Sequence, residues 1–287
     1  MIILNLYNET RDILKKYNLS AKKSLGQNFL VDEEVVNGIV SSAEIKKEDL
    51  VIEIGPGLGT LTKRLLEIAG KVVAIELDSR MIEILTDRFK LYSNFELIND
   101  DVLKVDLKKV IEKEKKEDIK DVKIVANLPY YITTPIIMKL LEGRLDIQTI
   151  TVMVQKEVAD RLIETPGGKN SGAITYAINY YTRPEKVLNV PNTFFIPAPE
   201  VNSSVIKLNV LDKPSVNVQN EELLFKIIKL AFMQKRKTLL NALTNGNLAS
   251  KEQIEKMLIG LGFDLRIRGE KLTLEEFAKI ADFITEN

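Results

Sequence analysis

The sequence predicts an α/β fold, in which a doubly wound and mostly parallel sheet is followed by a smaller all-helical C-terminal domain. Between residues 50 and 155, short apolar strand segments alternate with helical segments, a pattern typical of parallel strands that are covered on both faces. After residue 155, strand segments follow one another without a helical crossover, which indicates an antiparallel addition at the sheet edge. From about Asn220 the apolar spacing is helical to the end of the chain.

Each element of this fold is predicted by its own stretch of sequence. Residues 1–31 are expected to form an N-terminal extension with one helix and then a loop. The parallel strands are predicted at 50–55, 71–77, 95–99, 123–127 and 150–155, with helices that begin after Gly59, at Ser79 and near Thr133. A short helix over 155–164 precedes two further predicted strands, at 173–182 and 203–211. Pro, Asn and Gln interrupt the apolar pattern at 211–219, so we expect a sheet domain over 32–211 and a helical domain over 220–287.

The absence of cysteine and histidine restricts the chemistry that the chain can perform. It excludes disulfides, thiolate nucleophiles, Cys/His zinc sites and imidazole bases. A reaction must therefore use carboxylates, amides, hydroxyls, Lys or Arg, or a bound reactive cofactor, and no metal is implied. No apolar run reaches the roughly 18 residues of a membrane helix and the N-terminus has no signal-peptide pattern, so we expect a cytoplasmic protein without a membrane partner.

Charge is balanced overall but unevenly distributed along the chain. Lys and Arg total 41 and Asp and Glu also total 41, yet three stretches, at 13–31, 165–184 and 223–251, contain no acidic residue. Such stretches can bind a polyanion such as nucleic acid even at zero net charge, because the local potential attracts it. The alternative is that they arise by chance in a lysine-rich protein.

A glycine-rich loop, EIGPGLGT at 53–60, directly follows the first predicted sheet strand and precedes a helix. Gly55, Gly57 and Gly59 allow a tight turn and a close approach of the backbone to a ligand at the helix N-terminus. A dinucleotide-binding loop has the spacing G-x-G-x-x-G, whereas here the spacing is G-x-G-x-G and Thr60 follows the third glycine. This spacing resembles the loop of S-adenosylmethionine-dependent methyltransferases, whose ligand has no pyrophosphate.

Acidic residues end the next two strands and would reach the same edge of the sheet. Glu76 lies about 20 residues beyond the glycine loop, where an acid accepts hydrogen bonds from both ribose hydroxyls of a nucleotide-like ligand. Asp101 follows the third strand and can accept from an adenine amino group, with Asp100 as an alternative. A strand-end acid that faces solvent, as Asp78 could, and helix capping by an aspartate are the structural alternatives.

The fourth strand ends in Asn127-Leu128-Pro129-Tyr130, beside the expected position of the ligand's methyl group. An exocyclic amine of adenine is a poor nucleophile because its lone pair is delocalised into the ring. The Asn127 carboxamide oxygen and the Leu128 carbonyl before the proline can accept both of its N–H bonds and direct the lone pair at a methyl group. Pro129 fixes the backbone, and Tyr130 offers a face on which a flipped base can stack. A turn with aromatic packing is the alternative.

N-L-P-Y matches the (Asn/Asp/Ser)-x-Pro-(Tyr/Phe) motif of amino-methyltransferases, in the form used on RNA adenine. Four further segments, KKSLGQNFL (22–30), EIGPGLGTLT (53–62), FFIPAPEVNSSVIKL (194–208) and QKRKTLLNAL (234–243), accompany the extended motif NLPYYITTPII (127–137). Together they resemble the rRNA adenine N6,N6-dimethyltransferase family over essentially residues 10–285. Within that family, the chain is most similar to the bacterial branch that acts on the small ribosomal subunit.

The resemblance implies a Rossmann-like class I methyltransferase sheet and a site for S-adenosyl-L-methionine. The residues it implies as cofactor contacts are Asn28, Leu30, Gly55, Gly57, Glu76, Asp101 and Asn127. The residues it implies for catalysis are Asn127, Leu128, Pro129, Tyr130 and Phe195. In the family a phenylalanine stacks on the target adenine opposite the tyrosine, which assigns this role to Phe195 and leaves Phe194 in the core. Tyr131 stands where relatives often have Asn, and we expect it to form a wall of the pocket.

Basic residues in the three acid-free stretches are the expected RNA contacts: Lys22, Lys23, Lys169, Lys235, Arg236 and Lys237. A solvated helix end is the alternative for residues 235–237. Arg266 and Arg268 also occur in the family, but pairing with Glu270 or its neighbours explains them equally well.

The resemblance implies that the enzyme transfers four methyl groups, two to each of two adjacent adenines in the 3′-terminal hairpin of 16S rRNA, within an immature small subunit. The family also suggests a monomer. One alternative is an Erm-type enzyme that dimethylates one adenine of 23S rRNA and confers macrolide resistance. A second is a ribosome-assembly factor for which binding of the small subunit matters more than methylation. A dinucleotide dehydrogenase is the remote third alternative.

Overall fold

A computed structural model describes residues 5–116 and 118–286 of the chain and divides it into two compact units. Unit 1 comprises Met1–Ala159 and Glu185–Val210, and unit 2 comprises Asp160–Pro184 and Leu211–Asn287. The first four positions of the expected N-terminal extension and the last position of the expected helical domain lie outside the described residues. Within the described ranges, no helix has both the length and the apolar composition that crossing a bilayer requires.

Nine strands and twelve α-helices are present among the described residues. The strands are β1 (Phe29–Leu30), β2 (Asp49–Ile54), β3 (Lys71–Glu76), β4 (Phe95–Asn99), β5 (Asp121–Asn127), β6 (Thr149–Gln155), β7 (Thr182–Val190), β8 (Phe195–Ile196) and β9 (Ser203–Val210). The helices are α1 (Leu6–Lys16), α2 (Glu33–Ser42), α3 (Thr60–Ile68), α4 (Ser79–Phe89), α5 (Leu107–Glu114), α6 (Thr133–Glu142), α7 (Lys156–Leu162), α8 (Ala173–Tyr181), α9 (Glu221–Met233), α10 (Leu239–Asn245), α11 (Lys251–Gly260) and α12 (Leu274–Glu286).

Seven of the strands form one sheet in the order β4-β3-β2-β5-β6-β9-β7. The pairs from β4 to β6 are parallel, whereas β9 runs antiparallel to β6. The fold class is therefore confirmed as a mostly parallel, Rossmann-like methyltransferase sheet with an antiparallel addition and a helical C-terminal region. The remaining strands, β1 and β8, pair with each other in a separate two-stranded sheet.

The central strands are buried because helices cover the sheet. All six residues of β2 are buried, and its neighbours β3 and β5 are almost completely buried. Val51, Val72 and Val125 lie on one face of adjacent strands and pack in a core cluster with residues of α2, α3 and α4. Asp32 begins α2 by accepting a hydrogen bond from the Val35 N–H at 2.9 Å, which satisfies one of the free donors of the first turn.

Unit 2 has its own helical core around Tyr176. Its ring lies edge-on to that of Phe277, with 5.2 Å between centroids, and its hydroxyl donates to the Leu272 carbonyl at 2.6 Å. The strand predicted at 173–182 is wrong, because Ala173–Tyr181 form α8. Tyr176 and Tyr180 are one helical turn apart and both are buried in this core, so packing overrides the β propensity of the aromatic residues.

The boundary of the sheet domain also differs from the expectation. Residues 160–184 belong to unit 2, whereas the sequence analysis placed them in the sheet domain. The reason is that α8 buries its aromatic side chains among the C-terminal helices. The expected change of domain at 211–219 coincides with the point where the chain leaves unit 1 after Val210.

Candidate active site

The carboxyl ends of β2, β3 and β5 and the turn after β4 meet at one edge of the sheet and line a pocket. Its lining includes every predicted cofactor contact: Asn28, Leu30, Gly55, Gly57, Glu76, Asp101 and Asn127. It also includes Leu128, Pro129, Tyr130 and Tyr131, but neither Phe194 nor Phe195. This location is the usual one for a ligand in an open α/β sheet, outside the carboxyl ends of the strands.

The glycine loop turns sharply over the end of β2 and leads into α3. Gly59 has a φ of +83°, and a Cβ there would lie 2.5 Å from the Phe89 ring, so only glycine fits this position. A Cβ built on Gly55 would meet nothing within 4 Å, and this residue lines the pocket. The loop therefore leaves open space beside its backbone at Gly55, where a ligand can approach closely.

Glu76 ties the glycine loop to the end of β3. Its carboxylate accepts hydrogen bonds from the Gly57 N–H at 3.0 Å and the Asp78 N–H at 2.8 Å, and the residue is buried. Burial raises the pKa of Glu76, although both hydrogen bonds act against that shift. The alternative of a solvent-facing acid at this position does not apply.

Asp101 and Asp100 both line the pocket after β4, so the choice between them stays open. Asp101 is the less exposed, and one of its carboxylate oxygens accepts from the Leu103 N–H at 2.9 Å. Asp100 is exposed and accepts from the Asp101 N–H at 2.7 Å. Neither caps a helix, because α5 begins later and Asp106 is its N-cap residue.

Glu53 is a fourth acid of the pocket and is not among the site residues predicted from the sequence. It is 1% exposed, and its Oε2 has no hydrogen-bond partner among the described residues. Burial, helped by the nearby carboxylate of Glu76, raises the pKa of Glu53 to about 8. The sequence feature that could have identified Glu53 is its position as an acid inside an otherwise apolar strand, two residues before the first glycine of the loop.

The Asn127-Leu128-Pro129-Tyr130 turn is held on both sides. The Asn127 side chain lies 3.3 Å from the Asn28 carbonyl, which can only accept, so the nearer atom is the donor Nδ2 and the amide oxygen is left for a ligand. The Pro129 carbonyl accepts from the Ile132 N–H at 3.2 Å and from the Thr133 hydroxyl at 3.1 Å. Among the described residues, no hydrogen bond engages the Leu128 carbonyl, which matches its expected role as an acceptor.

Tyr130 and Tyr131 differ in how they are held. Tyr130 is half-buried, and its hydroxyl forms a 2.7 Å hydrogen bond with the Ser203 hydroxyl. Tyr131 is 57% exposed, and its ring packs against Gly26, since a Cβ there would lie 3.3 Å from Tyr131 Cδ1. The turn that carries Asn127 thus contacts the N-terminal loop directly.

Phe194 and Phe195 are buried in the opposite order from the one expected. Phe195 is 4% exposed and lies within the core of unit 1, whereas Phe194 is only half-buried and packs against that core, so Phe195 is the more buried of the two. The reason is that Phe195 pairs with Leu30 across β8 and β1, and residues in register share a face. Stacking of Phe195 on an adenine stays a prediction, and it requires this ring to become accessible.

A cluster of polar side chains that the sequence analysis missed fastens the N-terminal loop to the end of β3. Asp78 is 4% exposed and accepts from the Gln27 side chain at 2.9 Å and from the Arg80 guanidinium. Gln27 in turn accepts from the Lys22 N–H at 2.8 Å. Burial would raise the pKa of Asp78, but the hydrogen bonds from Arg80 and Gln27 outweigh it and lower that pKa to about 2.

The expected RNA contacts are exposed cations in both units. In unit 1, Lys22 and Lys23 shortly precede residues 25–30, which line the pocket, and the Lys22 ammonium is 3.6 Å from the Asp78 carboxylate. In unit 2, the Lys235 ammonium donates to the Ser171 carbonyl at 3.2 Å, so two of the acid-free stretches meet there. Lys169, Arg236 and Lys237 are exposed close by in the chain.

The pocket lining is acidic without a compensating base. It contains Glu53, Glu76, Asp100 and Asp101, and no Lys or Arg is found among its described residues. Within the described part of the chain, no group of three or more acidic side chains could hold a metal ion. Such a pocket favours a cationic ligand and disfavours a pyrophosphate.

Proteins of known family resemble this chain over most of its length. "Ribosomal RNA small subunit methyltransferase A" of Lachnoclostridium phytofermentans is 50% identical over 281 residues, which cover 97% of this chain and 96% of that protein. The fold is similar to a crystal structure of a dimethyladenosine transferase from Plasmodium falciparum, with 28% identity, a TM-score of 0.75 and coverage of 90% of this chain and 98% of that one.

The 23S rRNA methyltransferase ErmE is also similar in structure, with a TM-score of 0.68 and coverage of 90% of this chain and 100% of that one. At 24% identity this likeness shows the fold alone. A model of the ribosomal RNA adenine dimethylase family matches residues 18–286, from the N-terminal loop to the last helix. The chain therefore belongs to the ribosomal RNA adenine dimethylase family.

Proposed function

We propose that this protein is an S-adenosylmethionine-dependent RNA methyltransferase that dimethylates two adjacent adenines in the 3′-terminal hairpin of 16S rRNA, within an immature small subunit. The adenine pair and its position rest on the family resemblance. The observation that carries the proposal is an acid-lined pocket at the strand ends, with the Asn127-Leu128-Pro129-Tyr130 turn in its wall. We further expect the enzyme to act as a monomer in the cytoplasm, where small subunits are assembled.

The charge of the pocket supports S-adenosylmethionine as the ligand. When bound, this molecule supplies an electrophilic methyl group on a sulfonium, and it also carries an ammonium. Glu76 and one of the two aspartates after β4 place negative charge around such cations, whereas Glu53, with a pKa raised to about 8, is mostly neutral at pH 7. Glu76 would hold the ribose hydroxyls, and the open backbone at Gly55 would receive the methionine end.

The side chains around Asn127 can activate an amine without a base. The Asn28 carbonyl orients the Asn127 amide, so its oxygen accepts one N–H bond of adenine N6 while the Leu128 carbonyl accepts the other. These two acceptors direct the nitrogen lone pair toward the methyl group, and Tyr130 supports the ring of the flipped base. The proton leaves the nitrogen after methyl transfer, which suits a chain without histidine.

Similarity in sequence supports the small ribosomal subunit over the alternatives. The relatives named for the small subunit share about half of their residues with this chain, whereas ErmE shares 24%. Retention of Glu76, Asp101 and Asn127 supports catalysis beside any role in assembly. The acidic pocket opposes a dinucleotide dehydrogenase, because the carboxylates would repel a pyrophosphate.

The test is methyl transfer from radiolabelled S-adenosylmethionine, with mapping of the labelled site. Small subunits that lack these methylations are the substrate, and deproteinised 23S rRNA is the comparison. We expect label on the two adjacent adenines near the 16S 3′ end, approaching four methyl groups per subunit. Label on 23S rRNA alone would identify an Erm-type activity, and binding to small subunits without labelling of either RNA would favour an assembly factor.

A further inference from the structure

We propose that Ser203 is a positioning residue that holds the ring of Tyr130 for stacking against the target adenine. The inference rests on the proposed function, because it concerns the base that Tyr130 supports. Ser203 lies 73 positions beyond Tyr130 in the chain, at the start of β9, and it does not line the pocket. Its role would therefore be exerted through the tyrosine alone.

The contact is short and its serine side is enclosed. The two hydroxyl oxygens are 2.7 Å apart, which is the usual distance for a hydrogen bond between hydroxyls, and Ser203 is 0% exposed. Tyr130 is half-buried and lines the pocket. A buried hydroxyl without a hydrogen-bond partner costs free energy, so the Ser203 hydroxyl favours the tyrosine position in which this hydrogen bond is formed.

Both ends of the tyrosine are fixed to rigid parts of unit 1. On the main-chain side, the Leu128 N–H donates to the Met153 carbonyl at 3.1 Å and Pro129 restricts the backbone. On the hydroxyl side, Ser203 is the first residue of β9 and stands in register with Gln155 of β6. The ring spans these two anchors, so its position is set by the sheet as well as by the turn.

A fixed ring position matters for the reaction because a stacked base takes its position from the ring. If the hydroxyl is released, a half-buried ring can rotate about its side-chain torsions, and the amine of the base no longer stays aligned with its acceptors. We therefore expect loss of this hydrogen bond to slow methyl transfer without weakening binding of S-adenosylmethionine.

The experiment uses four forms of the full-length protein: the wild type, Ser203→Ala, Tyr130→Phe and the double variant. Tyr130→Phe keeps the stacking ring but removes its hydroxyl. Single-turnover transfer to unmethylated small subunits at saturating S-adenosylmethionine should be about three- to tenfold slower for each single variant. The double variant should be no slower than the slower single variant, because both changes remove the same hydrogen bond.

Ser204→Ala is the matched control. Ser204 is also 0% exposed and is the next residue of β9, but its hydroxyl contacts Asn189 at 2.9 Å instead of Tyr130. We expect its transfer rate to stay within about twofold of the wild type, since its hydrogen bond does not reach the pocket. A loss of rate equal to that of Ser203→Ala would overturn the proposal.

Unfolding free energies of the same four proteins show whether the hydrogen bond stabilises the fold, and the transfer rates show whether it also affects the reaction. Suppose that Ser203→Ala and Tyr130→Phe are not additive in unfolding free energy, but that the double variant slows transfer by the product of the two single effects. The hydrogen bond would then stabilise the fold without positioning the ring, and the proposal would be overturned. Wild-type rates of Ser203→Ala would also overturn it. If the wild type itself does not label small subunits, the proposed function fails, whereas a fault in the inference appears only in the ratios among the variants.

Discussion

Replacing Glu53 with glutamine should change how the stability of the protein depends on pH. Burial raises the pKa of this carboxyl from 4.5 to about 8 in the folded chain. Between these values the folded state holds a proton that the unfolded state has lost, so the free energy of unfolding falls as pH rises. Glutamine resembles the neutral acid and does not titrate, and the variant should lack this decline.

The magnitude follows from the interval over which the carboxyl titrates. One pKa unit corresponds to about 1.4 kcal/mol, and the interval from 4.5 to pH 7 spans about 2.5 units. The stability of Glu53→Gln relative to the wild type should therefore increase by about 3 kcal/mol from pH 4.5 to pH 7. The increase should cease above about pH 8, where the folded carboxyl has also ionised.

Urea unfolding followed by circular dichroism, repeated at intervals from about pH 4.5 to about pH 9, measures this difference. Glu83→Gln is the matched control, because Glu83 is an exposed glutamate of α4. That change should leave the pH dependence of the wild type in place. A difference between Glu53→Gln and the wild type that is constant across the range would refute the reasoning, since it would mean that Glu53 titrates alike in both states.

Three further changes probe the remaining parts of the site. Asn127→Ala removes both the amide oxygen proposed to accept from adenine N6 and the donor to the Asn28 carbonyl, so single-turnover transfer should fall at least about tenfold while S-adenosylmethionine affinity by calorimetry stays within a few-fold. Unchanged turnover would remove Asn127 from the mechanism. Phe195→Ala should lower the free energy of unfolding, measured with urea, by about 3–5 kcal/mol because it opens a cavity, and Phe194→Ala should lower it clearly less. Equal losses of stability would contradict the difference in burial between the two residues. Replacing residues 235–237 with alanine should weaken rRNA binding and make the binding constant fall less steeply as the salt concentration rises, as measured by filter binding. An unchanged slope of the binding constant against salt concentration would show that these residues do not contact phosphates.

Much of this site follows from patterns that are local in the sequence. The strand that ends at Glu76 and the turn that begins at Asn127 could be predicted, because apolar runs set the strands and parallel strands share one carboxyl edge. The contacts of Gln27 with Asp78 and of Tyr130 with Ser203 could not, because they join residues 51 and 73 positions apart. No periodicity reports which polar side chains meet at such separations.

The remaining errors arose where packing opposes local preference. Aromatic residues around Tyr176 favour a strand when read alone, but the helical core of unit 2 receives them on one face of a helix. The order of burial of Phe194 and Phe195 depends on the register between β8 and β1, which a segment of two residues does not reveal.

The order of strands in the sheet has a consequence for the newly made chain. β9 lies between β6 and β7, although β7 is synthesised before β9, so β7 cannot join the sheet until the last strand has emerged. At about 5–20 residues per second, the 55 residues that follow β6, from Lys156 to Val210, take roughly 3 to 11 seconds to make. During that interval the apolar strand β6 has an unpaired edge that can pair with other nascent chains. Translation speed through this stretch therefore sets how long each molecule is vulnerable to aggregation.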